Sequence, residues 1–309
     1  MSNITNNYFV KNSAPAIRAY LGGSFDPVHN GHLQMAMYVY QSLLPIAEQQ
    51  QRELQVSLLP NARSPFKEQS TNPEHRLAML KLAIQDTPLQ INELELWQTP
   101  PVYTIDSVKI LRARHPHDSL IFIMGMDSAQ SLDKWKDGLA LTDYVSLWVF
   151  NRVSIDKNNS ANNSKSADIN KKLANTNLVT QNPTALQSQL PVQLQDLITD
   201  SVTDLVMPAL RHLTDCTNLK TAEQGHIYID PRPVAAISST QVRQTLRQQL
   251  PQTPHLVDIK HTAETQIATL QPINAIINHA APNSFAKWLN PAVYQYIIAH
   301  QLYSAAQFR

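Results

Sequence analysis

Residues 22–33 read GGSFDPVHNGHL, a stretch whose residue types suit the handling of anions. His29 and His32 stand three apart, which places both imidazoles on one side of a helix's first turn. Asn30, between them, is a residue type that starts helices. Gly22, Gly23 and Gly31 are three of only 6 glycines in the 309-residue chain. Glycine is used where the backbone takes a positive φ or where another group must approach closely. A glycine turn from strand to helix presents backbone N–H groups to an anion. The positive end of a helix alone disfavours an imidazolium, whereas a bound polyphosphate favours it. The constellation reads as a cradle for phosphate, since a bare turn needs neither histidine.

Other chemistries for the same residues fail on spacing. A P-loop needs Lys-Ser or Lys-Thr after its last glycine, where this chain has His32-Leu33. A dinucleotide fingerprint needs three glycines at a spacing that Gly22, Gly23 and Gly31 do not have. A zinc site built from Asp26, His29 and His32 has no companion CxxC or HExxH pair, and the only cysteine, Cys216, is isolated. No resident metal is expected.

A second stretch reads Ile237-Ser238-Ser239-Thr240-Gln241-Val242-Arg243, three hydroxyls at a helix start with a guanidinium one turn on. Together the two stretches resemble the GGTFDPVHxGH and ISSTxxR signatures of the HxGH nucleotidyltransferase superfamily. Beyond them the chain is similar over most of its length to the bacterial nicotinate mononucleotide adenylyltransferase family. The similarity lies in Leu59-Pro60-Asn61 with Pro65-Phe66-Lys67, in Arg76-Leu77-Ala78-Met79-Leu80, and in Pro101-Val102-Tyr103-Thr104-Ile105-Asp106-Ser107. It continues in Gly125-Met126-Asp127-Ser128 with Trp135, and in Pro291-Ala292-Val293-Tyr294-Gln295-Tyr296-Ile297.

The resemblance implies an enzyme that joins nicotinate mononucleotide to the adenylyl group of ATP, giving deamido-NAD and pyrophosphate in NAD biosynthesis, with Mg2+ arriving on the ATP. It implies catalytic roles for His29, His32 and Arg243. ATP contacts are implied for Gly22, Gly23, Ser24, Phe25, Asp127, Ile237, Ser238, Ser239 and Thr240. Contacts to nicotinate mononucleotide are implied for Lys67, Tyr103, Thr104, Trp135 and Arg152. The residue types agree: Trp135 offers an aromatic face to a pyridinium ring, and Tyr103-Thr104 at a helix start offers hydroxyl and N–H donors to a carboxylate. The chain departs from the family in having Phe66 where a histidine is common, and Asn151-Arg152 where paired arginines are common. A transferase acting on nicotinamide mononucleotide or phosphopantetheine, and a nucleotide-binding regulator without turnover, stay open as alternatives.

These residues need a frame to hold them. Apolar runs at 17–21, 55–59, 89–94, 120–124, 145–149 and 226–229 read as strands; helices are expected after Gly31, after Pro73, over 104–115 and over 240–249. Strands separated by helices give an α/β fold, a doubly wound and mainly parallel sheet of Rossmann-like nucleotidyltransferase type. Two polar stretches, about 154–225 and about 250–284, interrupt the alternation and read as insertions in a single catalytic domain spanning 1–309. Within the first, residues 194–213 are more apolar and are expected to be helical, with a break at Pro208. A net charge of +1 argues for a small-molecule substrate over nucleic acid. No run of about twenty apolar residues and no signal-like start are present, and the lone cysteine suits a reducing compartment, so a cytoplasmic protein off the membrane is expected. Self-association is left open.

Overall fold

Apolar runs without alternation belong in strands covered on both faces, and in the computed structural model they fall there. The structure describes residues 14–62, 70–152, 186–206, 224–235, 237–249, 285 and 288–304. Strands β1 (Ile17–Gly23), β2 (Leu54–Pro60), β3 (Gln90–Ile91), β4 (Ser119–Gly125), β5 (Ser146–Arg152), β6 (Ile198–Thr199) and β7 (Ile227–Val234) pair in the order β3-β2-β1-β4-β5-β7-β6. Every pairing is parallel, so the sheet among the described residues is wholly parallel. The central strand β4 is buried at all 7 positions. The order reverses between β1 and β4, which puts Gly23 and Gly125 at the switch point where ligands of such sheets bind.

The helices are α1 (Asn30–Gln49), α2 (Pro73–Ile84), α3 (Thr104–Arg114), α4 (Met126–Ala129), α5 (Val192–Gln195), α6 (Ser239–Gln249) and α7 (Pro291–Ala299). Both α2 and α7 open on a proline, whose missing N–H costs nothing at that position. The described residues divide into two compact units. The first holds residues 14–24, 34–62, 87–152, 186–206 and 224–235, and therefore the whole sheet. Its core packs Tyr20, Phe122, Leu147 and Ile227 with Ile105, Val108 and Leu111 of α3. At the amino end of the sheet Asp118 accepts from the Ala16 N–H at 2.8 Å and from Arg18 Nε at 2.6 Å. The second unit holds residues 25–33, 70–86 and the described residues from 237 onward; in it α7 packs against α2. No helix among the described residues is long and apolar enough to cross a membrane.

Three sequence expectations need correction. The strand expected over 89–94 is only Gln90–Ile91, because the Asn92 side chain accepts from the Leu94 N–H at 3.0 Å and turns the chain out of the ladder. The last strand is longer than expected, Ile227–Val234. Of the helix expected over 194–213, residues 194–206 form instead the end of the short α5, the edge strand β6 and a 3-10 turn at Val202–Val206, and 207–213 lie outside the described residues. Leu186, Leu190, Leu194, Leu205 and Val206 are buried, so this part of the polar stretch belongs to the sheet unit. Pro208 lies outside the described residues.

Candidate functional site

The histidines of the expected phosphate cradle lie in the second unit, and their geometry follows from the helix start. Asn30 is the first residue of α1, so His29 occupies the cap position expected for Asn30. Its carbonyl accepts from the His32 N–H at 2.9 Å, and its N–H donates to Nδ1 of His32 at 3.3 Å. The second bond is the return half of a capping box, with an imidazole in the place of the usual glutamate or glutamine. The two rings stack at 3.6 Å between centroids and 19° between planes, and Phe25 meets His32 edge-on at 4.9 Å. Both histidines are buried. The Asn30 N–H donates to the Trp288 carbonyl at 2.7 Å.

Of the two uses of glycine, positive φ is not the one found here. Among the described residues no glycine has positive φ; Phe25 does, at 46°, fully buried and next to the cis peptide bond Asp26-Pro27. Such a backbone costs a bulky residue about 1 kcal/mol or more and persists only where its surroundings hold it. The surroundings here are the second signature and the end of the chain. Ser239 Oγ donates to the Pro27 carbonyl at 3.0 Å, Arg243 Nη1 donates to the Asp26 carbonyl, and Tyr303 donates to Asp26 Oδ1 at 2.7 Å.

The three hydroxyls of the second signature have separate duties. Ser238 caps α6: its Oγ accepts from the Gln241 N–H at 3.2 Å while Gln241 Oε1 accepts from the Ser238 N–H at 3.0 Å. Ser239 ties the Pro27 loop, and Thr240 Oγ1 accepts from Arg243 Nη2 at 3.2 Å. Convergence of all three on one anion is therefore not what the geometry supplies; Ile237 is buried beneath them.

The first unit carries the other sequence-predicted residues. Gly22 and Gly23 end β1 beside Leu59 and Pro60 of β2, and the Gly23 carbonyl accepts from the Asn61 N–H at 3.0 Å; Ser24 follows. A Cβ on Gly22 would lie 2.5 Å from Phe122 Cζ, so this glycine makes room for a core ring. Asp127, in the first turn of α4 after β4, is exposed, and the cap position belongs to Gly125.

At the start of α3, Tyr103 takes the cap position with φ −110° and ψ 139°, and no side chain caps the helix. Its N–H groups there, with Thr104 as first residue, suit a carboxylate. Trp135 is half-buried against the same core as Tyr103. Gly138 shapes that turn: a Cβ on it would meet the Leu132 carbonyl oxygen at 2.1 Å and Trp135 Cβ at 2.8 Å. Lys136, which sequence reasoning missed, sits over the Tyr103 ring at 4.6 Å and bonds Asp106 Oδ2 at 3.0 Å. Only its adjacency to Trp135 could have marked it. Lys67 and the Arg152 side chain lie outside the described residues.

A parallel sheet of this order, with GGSFDPVH leading from the end of β1 to the start of α1 and ISSTQVR later on a capped helix, defines a nucleotidyltransferase of the HxGH class. Residues 20–245 match the cytidylyltransferase-like family. Over 238 residues the chain is 31% identical to the "Probable nicotinate-nucleotide adenylyltransferase" of Idiomarina loihiensis, covering 75% of this chain and 89% of the relative. It is 42% identical over 118 residues to the nicotinate-nucleotide adenylyltransferase of Bacillus subtilis, covering 37% and 58% of the two chains. The chain therefore belongs, within the cytidylyltransferase-like class, to the nicotinate-nucleotide adenylyltransferase family. In fold it is like the solved nicotinic acid mononucleotide adenylyltransferase of Plasmodium falciparum complexed with APC, at a TM-score of 0.50, 14% identity, and coverage of 93% and 97%.

Proposed function

We propose that this protein transfers the adenylyl group of ATP to nicotinate mononucleotide, forming deamido-NAD and releasing pyrophosphate, in the NAD biosynthesis of the cytoplasm. The chain is read as one catalytic domain, with the stretches near 154–225 and 250–284 as additions to it. A phosphate oxygen of nicotinate mononucleotide forms a bond to the α-phosphorus of ATP, the bond to the bridging oxygen breaks, and that oxygen leaves on pyrophosphate. The attacking oxygen is already anionic, so no general base is required. Catalysis is then positioning and the stabilisation of negative charge.

His29 and His32, with the N–H groups following Gly22, Gly23, Ser24 and Phe25, take the α- and β-phosphates. Arg243, with the backbone N–H groups at the start of α6, takes the β- and γ-phosphates. Asp127 takes ribose hydroxyls. Mg2+ enters as part of the nucleotide substrate, carried by its phosphates. Trp135 stacks on the pyridinium ring, Tyr103 and Thr104 receive the carboxylate, and Lys67 and Arg152 are assigned to the mononucleotide phosphate.

The observation that carries this reading is the start of α3, a helix end of adequate length with no side-chain cap beside a half-buried tryptophan, in a chain of this family. The test is pyrophosphate release with ATP and Mg2+, comparing nicotinate mononucleotide, nicotinamide mononucleotide and phosphopantetheine. The expected preference for the nicotinate acceptor is about a hundredfold or more in kcat/KM. Equal rates with the amide would overturn the acceptor assignment, and ATP binding without turnover on any acceptor would overturn the enzyme.

A further inference from the structure

The pair Asp26-Pro27 is gripped from two directions within the second unit. Its main-chain carbonyls accept from Arg243 and Ser239, the second signature. Its side chain accepts from the Tyr303 hydroxyl at 2.7 Å and from the Thr71 N–H at 3.2 Å. Tyr303 is fully buried and holds φ at 62°, a backbone rare for an aromatic residue and retained only where the surroundings fix it. Burial first, and then the Asp26 charge, push its phenol well above the ordinary range, so it stays a protonated donor. Arg76, also fully buried, donates to the Thr71 carbonyl at 3.1 Å and steadies the same loop.

We propose that Tyr303 is a positioning residue for adenylyl transfer: through the Asp26 carboxylate it sets the carbonyls that orient Arg243 and Ser239, and so places the Arg243 guanidinium for the phosphates. A carboxylate held by two donors cannot swing, and the carbonyl of the same residue then presents one direction to the guanidinium. Neither signature contains Tyr303, and the sequence separation from Asp26 is 277 residues.

The inference rests on the function proposed above, and its test separates the two. Pyrophosphate release and, with no acceptor present, calorimetric ATP binding are measured for wild type, Tyr303→Phe, Arg243→Ala and the double variant. Tyr303→Phe is expected to lower kcat about tenfold and weaken ATP binding about fivefold, with the KM for nicotinate mononucleotide within about twofold. On top of Arg243→Ala the same change is expected to cost less than about twofold, because its effect passes through that guanidinium. Losses that multiply in the double variant, or a lowered thermal midpoint with unaltered kcat per folded molecule, would overturn the proposal. If wild type fails to turn over, the function is wrong and the binding cycle still decides the role of Tyr303. Should Tyr303→Phe not fold, Asp26→Asn is carried through the same cycle with the same expectations.

Discussion

The His29 N–H donates to Nδ1 of His32 at 3.3 Å while the two rings stack at 3.6 Å. A nitrogen that accepts carries no proton, so in the neutral ring the proton sits on Nε2, the atom proposed to donate to a phosphate oxygen. Helix capping and the proposed phosphate contact thus use opposite atoms of one imidazole.

Two substitutions separate those roles. His32→Gln keeps an acceptor for the His29 N–H, since glutamine is a usual partner in this box, but it does not reproduce the Nε2 donor. His32→Ala loses both. Each is expected to lower kcat by about a hundredfold or more. Only His32→Ala is expected to lower stability, by about 1 kcal/mol. Near-normal kcat in either variant, or equal destabilisation in both on denaturant melts, would contradict the assignment.

Gly138 gives a prediction for the acceptor. Its Cβ would lie 2.1 Å from a backbone oxygen, which no rotamer change relieves, so Gly138→Ala must open the turn that carries Trp135. We expect a loss of about 2–3 kcal/mol in stability and a rise of roughly tenfold in the KM for nicotinate mononucleotide, with the KM for ATP within about twofold. Trp135→Ala, which removes the ring without the clash, should give the same KM pattern. A rise in both KM values would disconnect Trp135 from the acceptor.

What the sequence brings together at the starts of α1 and α6 was legible because its information is local. The spacing of His29 and His32, and of Thr240 and Arg243, is set within one helical turn, and parallel strands announce themselves as unalternated apolar runs. What escaped depends on partners far along the chain. Lys136 meets Asp106 across 30 residues and Asp26 meets Tyr303 across 277. At residues 186–206 the apolar content was legible but the element type was not, because a few leucines spaced through a polar stretch suffice to bury one side of it. Of the two reasons for glycine, close approach holds at Gly22, where the Phe122 ring is the neighbour, while the strained φ went to Phe25.

Tyr20 carries a hydroxyl that the core does not satisfy. It is buried in β1, no hydrogen-bond partner is found for it among the described residues, and burial pushes the phenol up to about 12. Removing an unpaired buried polar atom while keeping the ring relieves its desolvation cost. Tyr20→Phe is expected to stabilise the protein by about 1 kcal/mol, read as a higher urea midpoint with unchanged slope. A lower midpoint would mean that the hydroxyl has a partner in solution.

Glu95 makes stability depend on pH in a stated direction. Its carboxyl is buried, and desolvation raises it above the ordinary carboxylate range, an effect only partly offset by the nearby Ser107 hydroxyl. A raised acid binds its proton more tightly in the folded chain than in the unfolded one. Its contribution is therefore fully present below the unfolded value, about 4.3, and is lost as pH climbs through the folded value. Within that window the slope approaches about 1.4 kcal/mol per pH unit for one proton. Glu95→Gln keeps the shape and the acceptor but does not titrate, so the variant should gain on wild type as pH rises from 4.5 to 8. Urea unfolding of both proteins at pH 4.5, 6 and 8 reads the difference directly. Curves that stay parallel would show that Glu95 is solvated in the folded state and that its burial contributes nothing to the pH dependence.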